Sequence, residues 1–173
     1  MRKVLIAVII LTGLFCYGIS GAVQTKLLVR ARSTDAKFVG TAMGGALVTI
    51  RDETGKVLAE GLTAGGTGDT NKIMAEPRTR FGAITDDKTA GFETSIDIKE
   101  PVLVTVEVEA PYGKRPKTVK SSTQLWLVPG RHIVGEGLII EVHGFYVEAN
   151  TAGEAKLVNS KAVIPIEANI AMV

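Results

Sequence analysis

Apolar and polar residues alternate with a period of two along most of this chain, most clearly in residues 101–113, PVLVTVEVEAPYG. The apolar positions of this stretch are Val102, Val104, Val106, Val108 and Ala110. The positions between them are Leu103, Thr105, Glu107 and Glu109. A period of two is typical of a half-buried β-strand. The stretch therefore predicts a central strand whose apolar face is covered by a second sheet.

The same alternation predicts further strands elsewhere in the chain. They lie at 26–32, 46–51, 56–62, 92–99, 124–128, 138–142, 145–149 and 162–173. Short turns separate them, and the turn at 52–55 places Gly55 where positive φ is needed. The tail strand 162–173 contains Pro165, which lacks an amide donor and therefore predicts a sheet edge. The predicted fold class is all-β, an antiparallel β-sandwich of about seven to nine strands.

Residues 63–91 interrupt this pattern. The segment 63–71, TAGGTGDTN, has the composition of a flexible loop, and Pro77 and Gly82 break the segment that follows. We expect a long surface excursion here, within a single domain that spans residues 23–173.

The N-terminus has the pattern of a signal peptide over residues 1–22. Arg2 and Lys3 precede an apolar run, small residues follow it, and Ser20 and Ala22 occupy the −3 and −1 positions of a cleavage site. One alternative is an uncleaved membrane anchor, although the apolar run is short for a span of roughly 20 residues. A lipoprotein signal at Cys16 is disfavoured because bulky Phe15 precedes it.

Cleavage after Ala22 would change the charge and thiol content of the chain. The net charge of +2 comes from Arg2 and Lys3, so the exported part carries equal numbers of basic and acidic residues. A nucleic-acid-binding protein would be expected to show a basic excess, so that class is not predicted. Cys16 is the only cysteine, which leaves the exported domain without disulfides and dependent on an ordinary hydrophobic core.

Two segments carry a resemblance to a known family. They are GGALVTIRDETGKVLAEGLTAGG at 44–66 and GFETSIDIKEPVLVTVEVEAPYG at 91–113. Together they resemble a transthyretin-like or carboxypeptidase-regulatory-like module, with a longer loop after Leu62 and with Tyr112 and Gly113 in reversed order. The resemblance implies a β-sandwich, and it implies no activity. The hydroxyisourate-hydrolysing members end in Tyr-Arg-Gly-Ser, whereas residues 169–173 read NIAMV, so that activity is not carried over.

Residues able to perform catalysis or bind metal are few. His132 and His143 flank a predicted strand, and two histidines without further ligands make a poor metal site. Asp69 and the pair Asp86 and Asp87 lack the spacing of a calcium loop, and we expect acidic residues in solvated turns. No metal site and no cofactor are predicted.

Serine and carboxylate chemistry is not predicted either. Ser95, Ser121 and Ser122 have no nearby base in the sequence, and no G-x-S-x-G motif is present. Glu107 and Glu109 share one strand face, but this spacing is expected of any solvent-facing strand. No catalytic residue is proposed from the sequence, although an enzyme stays an alternative.

Two features are candidates for binding. The first is a basic loop at 114–120, in which Lys114, Arg115, Lys117 and Lys120 lie beside Tyr112. It could receive an anionic glycan, a lipid headgroup or an acidic protein, with a solvated turn as the alternative. The second is the apolar tail strand 162–173, which could complete its own sheet or pair with a neighbouring subunit.

The sequence thus predicts an exported, non-catalytic binding or structural module that is secreted, periplasmic or on the cell surface. One alternative is a subunit of a cell-surface or extracellular assembly that uses its C-terminal strand. Another is an accessory domain or subunit of an exported enzyme system. The expected partner is a protein or a glycan, a homo-oligomer is an open alternative, and contact with the membrane is expected only through the signal peptide.

Overall fold

The computed structural model describes residues 21–114 and 118–172, and the chain there is built almost entirely of strands. Eleven strands form two larger sheets and two two-stranded sheets. The strands are β1 (Val23–Ser33), β2 (Leu47–Asp52), β3 (Val57–Leu62), β4 (Phe92–Ile98), β5 (Val102–Ala110), β6 (Val119–Leu127), β7 (Ile133–Val142), β8 (Phe145–Thr151), β9 (Lys156–Val158), β10 (Lys161–Val163) and β11 (Ile166–Met172). The all-β prediction is confirmed.

The four-stranded sheet has the antiparallel order β3-β2-β5-β6. Its centre is the strand with the clearest alternation, since β5 pairs with β2 on one side and β6 on the other. Val104, Val106 and Val108 on one face of β5 are fully buried, as the alternation predicts. Burial of each valine stabilises the fold by roughly 1.5–3 kcal/mol.

The three-stranded sheet has the order β4-β1-β7 and covers the other side of the core. Its core-facing side chains are buried, and they are Leu27, Val29, Ala31, Ile96, Ile98, Ile140 and Val142. Strand β1 pairs with β4 antiparallel but with β7 parallel, which differs from the purely antiparallel arrangement that was expected. Alternation indicates which face of a strand is buried and carries no information about the direction of its neighbour.

Strand β7 is irregular where it meets β1. The register shifts between Leu27 and Val29, and Gly135 and Gly137 adopt φ of +74° and +70°. Arg30 from β1 binds this bulge, because its Nε donates to the Glu136 carbonyl at 3.1 Å and its Nη2 donates to the Gly135 carbonyl at 3.2 Å. The bulge explains why sequence alternation indicated only the second half of β7.

The excursion at 63–91 packs against the sandwich more closely than a surface loop would. Arg30 Nη1 also donates to the carbonyls of Thr89 and Ala90, so one buried guanidinium ties the end of the excursion to β1. Burial lowers the pKa of Arg30 from its usual value, although neighbouring carboxylates oppose the shift. A single helical turn at Asn71–Ala75 buries Ile73.

The N-terminal prediction lies outside the described residues for positions 1–20. Gly21 and Ala22 are exposed and precede β1, which begins at Val23. In the part of the chain that is described, no helix has both the length and the apolar character needed to cross a membrane.

Candidate interaction site

The predicted basic loop is only partly described. Tyr112 and Lys114 lie in a short 3₁₀ turn after β5, and the Tyr112 amide donates to the Gly45 carbonyl at 2.8 Å. Arg115 and Lys117 lie outside the described residues. Lys120 belongs to β6, where it faces β5, so it is a strand residue and not a loop residue.

Lys120 is engaged with two carboxylates on the outer face of the four-stranded sheet. Its Nζ lies 3.4 Å from Glu107 Oε1 and 3.5 Å from Glu109 Oε2. The hydrogen bond and charge of Glu107, followed by the charge of Glu109, raise the pKa of Lys120. A lysine paired in this way is less available to an anionic ligand than the sequence suggested.

Glu109 differs from the expected solvent-facing position. It is 9% exposed, and its Oε1 accepts a hydrogen bond of 2.8 Å from Thr118 Oγ1. The carboxylate therefore has protein partners on both oxygens, since Oε2 faces Lys120. This arrangement anchors the start of β6 to β5, and it offers no open position for a substrate.

The histidines and loop acids have local structural contacts. His132 Nδ1 accepts the Lys26 amide at 3.1 Å, and His143 lies beside Thr34 Oγ1. Asp86 Oδ1 accepts from Thr89 Oγ1 at 2.6 Å, and this side-chain hydrogen bond is the largest cause of the lowered pKa of Asp86. Over residues 21–114 and 118–172 no group of three or more His, Cys, Asp or Glu could hold a metal ion.

A shallow apolar cavity of about 360 Å³ lies beside the first turn of the excursion. Phe38, Met43 and Met74 form its walls, and Lys37 stands at its edge. Ligand sites combine an apolar wall with several convergent polar groups, and this cavity offers few of them. It gives no basis for a specific small-molecule site.

The most distinctive surface is the C-terminal arm, which we define as residues 145–172. The chain leaves the sandwich at Gly144, whose φ is +155°, and enters β8. Strand β11 returns antiparallel to β8 with Ile166 opposite Thr151 and Ile170 opposite Val147. The arm is therefore a two-stranded ribbon, extended at its tip by the smaller hairpin of β9 and β10.

The tip closes with a turn that the sequence analysis did not identify. Asn159 and Ser160 have φ of +50° and +62° and connect Val158 directly to Lys161. Two consecutive left-handed residues between paired strands are typical of a type I′ hairpin turn. The sequence feature that indicates this turn is the pair Asn159 and Ser160 between the short segments 157–158 and 161–163.

The pairing of β8 with β11 separates the ribbon into two chemically different faces. Directly opposed residues of an antiparallel pair lie on the same face. One face, which we call the apolar face, carries Phe145, Val147, Ala149, Thr151, Ile166, Ala168 and Ile170. The opposite face carries Glu148, Asn150, Glu167 and Asn169. The ribbon is thus amphipathic along its whole length.

The apolar face has no cover among the described residues. Phe145 is 67% exposed, Ile166 is 70% exposed and Ile170 is 62% exposed. Leu157 and Ile164, near the tip, are 78% and 53% exposed. The exposed apolar area of these side chains is on the order of 500 Å² or more, which matches the largest patches on typical monomers, and such patches mark interaction sites.

Sequence reasoning identified both strands of this ribbon but did not pair them with each other. The tail was expected as one strand, 162–173, whereas Ile164 and Pro165 separate β10 from β11. Pro165 accepts from the Ala152 amide through its carbonyl at 2.9 Å, in a ribbon where both strands are edges. The signal that was missed is that both segments have apolar residues at every second position. When the two strands pair, these apolar residues lie opposite each other on one face.

Comparison with known proteins adds no relative. The chain matches no protein-family model, no curated protein and no solved structure. The resemblance to transthyretin-like modules therefore stays a prediction.

Proposed function

We propose that this chain is an exported, non-catalytic structural module that joins an assembly outside the cytoplasm through its C-terminal arm. The observation that carries the proposal is the uncovered apolar face of the arm, with Phe145, Ile166 and Ile170 more than half exposed. A soluble monomer gains nothing from presenting such a face to water. Burial against a partner would instead contribute about 25 cal/mol for each Å² of apolar surface removed from water.

Export is supported by the N-terminal pattern and by where the fold begins. The charged, apolar and small-residue regions of 1–22 follow the order of a signal peptide. Among the described residues the first strand begins at Val23, directly after the expected cleavage position, so cleavage would remove no described strand. The sandwich core also contains no cysteine that would require a reducing compartment.

The other functional predictions have less support. Binding of an anionic glycan through the basic loop is weakened because Lys120 already contacts Glu107 and Glu109. A role beside an exported enzyme stays a prediction that no contact in the described part of the chain favours.

The proposal is tested by the native size of the exported protein, recovered without denaturant. Wild type is compared with Ile166→Ser/Ile170→Ser, which makes the apolar face polar, and with Glu167→Ser/Asn169→Ser, the matched change on the opposite face. We expect wild type and the opposite-face variant to migrate as a larger complex and the apolar-face variant as a monomer. Identical migration of all three proteins would overturn an assembly role for the arm.

A further inference from the structure

The apolar face of the arm is shaped to fit a copy of itself. Three rows of opposed residues cross it at its centre, and the middle row consists of Ala149 and Ala168. The neighbouring rows are larger, with Val147 opposite Ile170 on one side and Thr151 opposite Ile166 on the other. Successive rows on one face of a strand are separated by about 7 Å, so the alanine row is a shallow groove between two ridges.

We propose that two copies of the chain pack through this face, with the Val147–Ile170 row of each copy in the Ala149–Ala168 groove of the other. This inference rests on the proposed function and identifies the partner of the arm. A two-fold axis between these rows makes both contacts identical, which is the property of an isologous interface. Large residues then meet small ones in both directions, as interdigitated layers require.

The available area is sufficient for a specific contact. Four large side chains of the face, Phe145, Val147, Ile166 and Ile170, are 49–70% exposed. They offer on the order of 500 Å² in each copy, so complete burial of two faces would remove roughly 1,000 Å² from water, which is the lower limit for a specific interface.

The distribution of charge selects the same face. The apolar face carries no charged side chain, so an identical face needs no complementary charge to match it. The opposite face carries the carboxyl groups of Glu148 and Glu167, and stacking two copies through that face would remove these charged groups from water at a cost in free energy. Packing through the apolar face is therefore favoured over packing through the polar one.

Site-specific cross-linking tests the arrangement directly. All variants carry Cys16→Ser, so that an introduced cysteine is the only thiol whether or not the leader is removed. We expect Ala168→Cys to give a covalent dimer with a short thiol–thiol cross-linker. Asn169→Cys is the matched control, because it is the adjacent residue on the opposite face and its thiols would lie on the far sides of the two ribbons.

A second variant distinguishes the proposed packing of ridges into grooves from non-specific hydrophobic association. Ala168→Leu adds apolar surface, which would strengthen non-specific association. In the proposed packing the same change fills the groove, and overpacking should raise the dissociation constant of the dimer by at least about tenfold. The dissociation constant is measured by sedimentation equilibrium on the purified exported protein, and an unchanged thermal melt of the sandwich shows that each variant is folded.

Three results would overturn self-packing. The first is a wild-type protein that stays monomeric throughout the concentration series, which assigns the apolar face to a different protein or to a lipid surface. The second is equal cross-linking of Ala168→Cys and Asn169→Cys. The third is tighter association of Ala168→Leu than of wild type. If the recovered protein is large in the native-size experiment but monomeric once purified, the assembly role survives and only the identity of the partner is wrong.

Discussion

The sandwich and the arm are built from the same kind of alternating strand, but only the sandwich encloses its apolar face. In β5, Val104, Val106 and Val108 are fully buried, whereas in β11 Ile166 and Ile170 are 70% and 62% exposed. Among the described residues, every member of the buried core precedes the arm, and the last of them is Val142. Both regions therefore have the same alternation of apolar and polar residues, and they differ in whether other described residues cover the apolar face.

This difference assigns separate roles to the two regions. A two-stranded ribbon is marginally stable in water unless its apolar face is packed against another element. The sandwich has a core of its own, whereas no described residue covers the apolar face of the arm. On the proposed function, that face is covered by a partner.

The strongest effect is expected at the centre of the sandwich. Val106→Asp removes a buried apolar side chain and places an unpaired charge at a position with 0% exposure. We expect the free energy of unfolding to fall by more than about 4 kcal/mol, or the protein to be recovered unfolded. Thr105→Asp is the control, because the same new side chain then lies on the outer face beside Arg51. Urea melts of equal midpoint for the two variants would contradict the assigned facing of β5.

A smaller effect is expected where two backbone segments meet. Gly44 has φ of +88°, and a Cβ there would lie 2.6 Å from the Cα of Gly113, which precedes the basic loop. Gly55 has a similar φ of +83° but nothing within 4 Å, so it isolates the cost of the backbone conformation. We expect Gly55→Ala to destabilise the sandwich by about 1–2 kcal/mol and Gly44→Ala by roughly 1–3 kcal/mol more, measured in urea melts. Equal losses of unfolding free energy in the two variants would show that the backbone at Gly113 can move to accommodate a Cβ at position 44 without a measurable cost.

The arm is expected to matter little for the stability of the sandwich. Deleting residues 145–173 removes no member of the buried core, so the free energy of unfolding of the remaining chain should change by less than about 1 kcal/mol. Deleting residues 133–173 is the control, since it also removes Ile140 and Val142 of β7 and should prevent folding. A sandwich that fails to fold after the shorter deletion would mean that the arm covers part of its own core.

The fold was largely predictable from the sequence, because a strand that buries one face has apolar and polar residues in alternation. The alternation of apolar residues identified which faces of β2, β4 and β5 are buried. The positive φ of Gly55 was predictable from its place in the turn at 52–55. The parallel pairing of β1 with β7 was not predictable, because it depends on contacts between residues more than 100 positions apart. The first half of β7 was not predicted, because the bulge at Gly135 and Gly137 interrupts the alternation there.

The candidate site was less predictable than the fold. The sequence showed four basic residues close together, but only the paired strands show that Lys120 lies beside Glu107 and Glu109. It also showed an apolar tail, and apolar alternation alone does not distinguish a strand inside a sandwich from a strand exposed on an arm. That distinction requires knowledge of the partner strand, and β11 pairs with β8 instead of joining either larger sheet.

The smallest expected effect concerns the turns, which also differ between the two regions. The sandwich turn at 52–55 is closed by Asp52, whose Oδ1 accepts from Thr54 Oγ1 at 2.6 Å and from the Lys56 amide at 3.0 Å. The tip of the arm is closed instead by the left-handed pair Asn159 and Ser160, which carries no ionisable side chain. Acid should therefore act on the sandwich turn and leave the tip turn unchanged.

The hydrogen bond from Thr54 is the largest cause of the lowered pKa of Asp52 in the folded chain. Because the folded pKa lies below the unfolded one, the contribution of Asp52 is complete above the unfolded value of about 3.9 and is lost as pH falls through the folded value. We expect Asp52→Asn to show a shallower decrease in melting temperature below about pH 4 than wild type. Thr54→Val should raise the pKa of Asp52 towards its usual range, as measured by NMR titration of the carboxyl carbon. A titration curve of Asp52 that is the same in wild type and Thr54→Val would show that the turn does not hold the carboxylate as described.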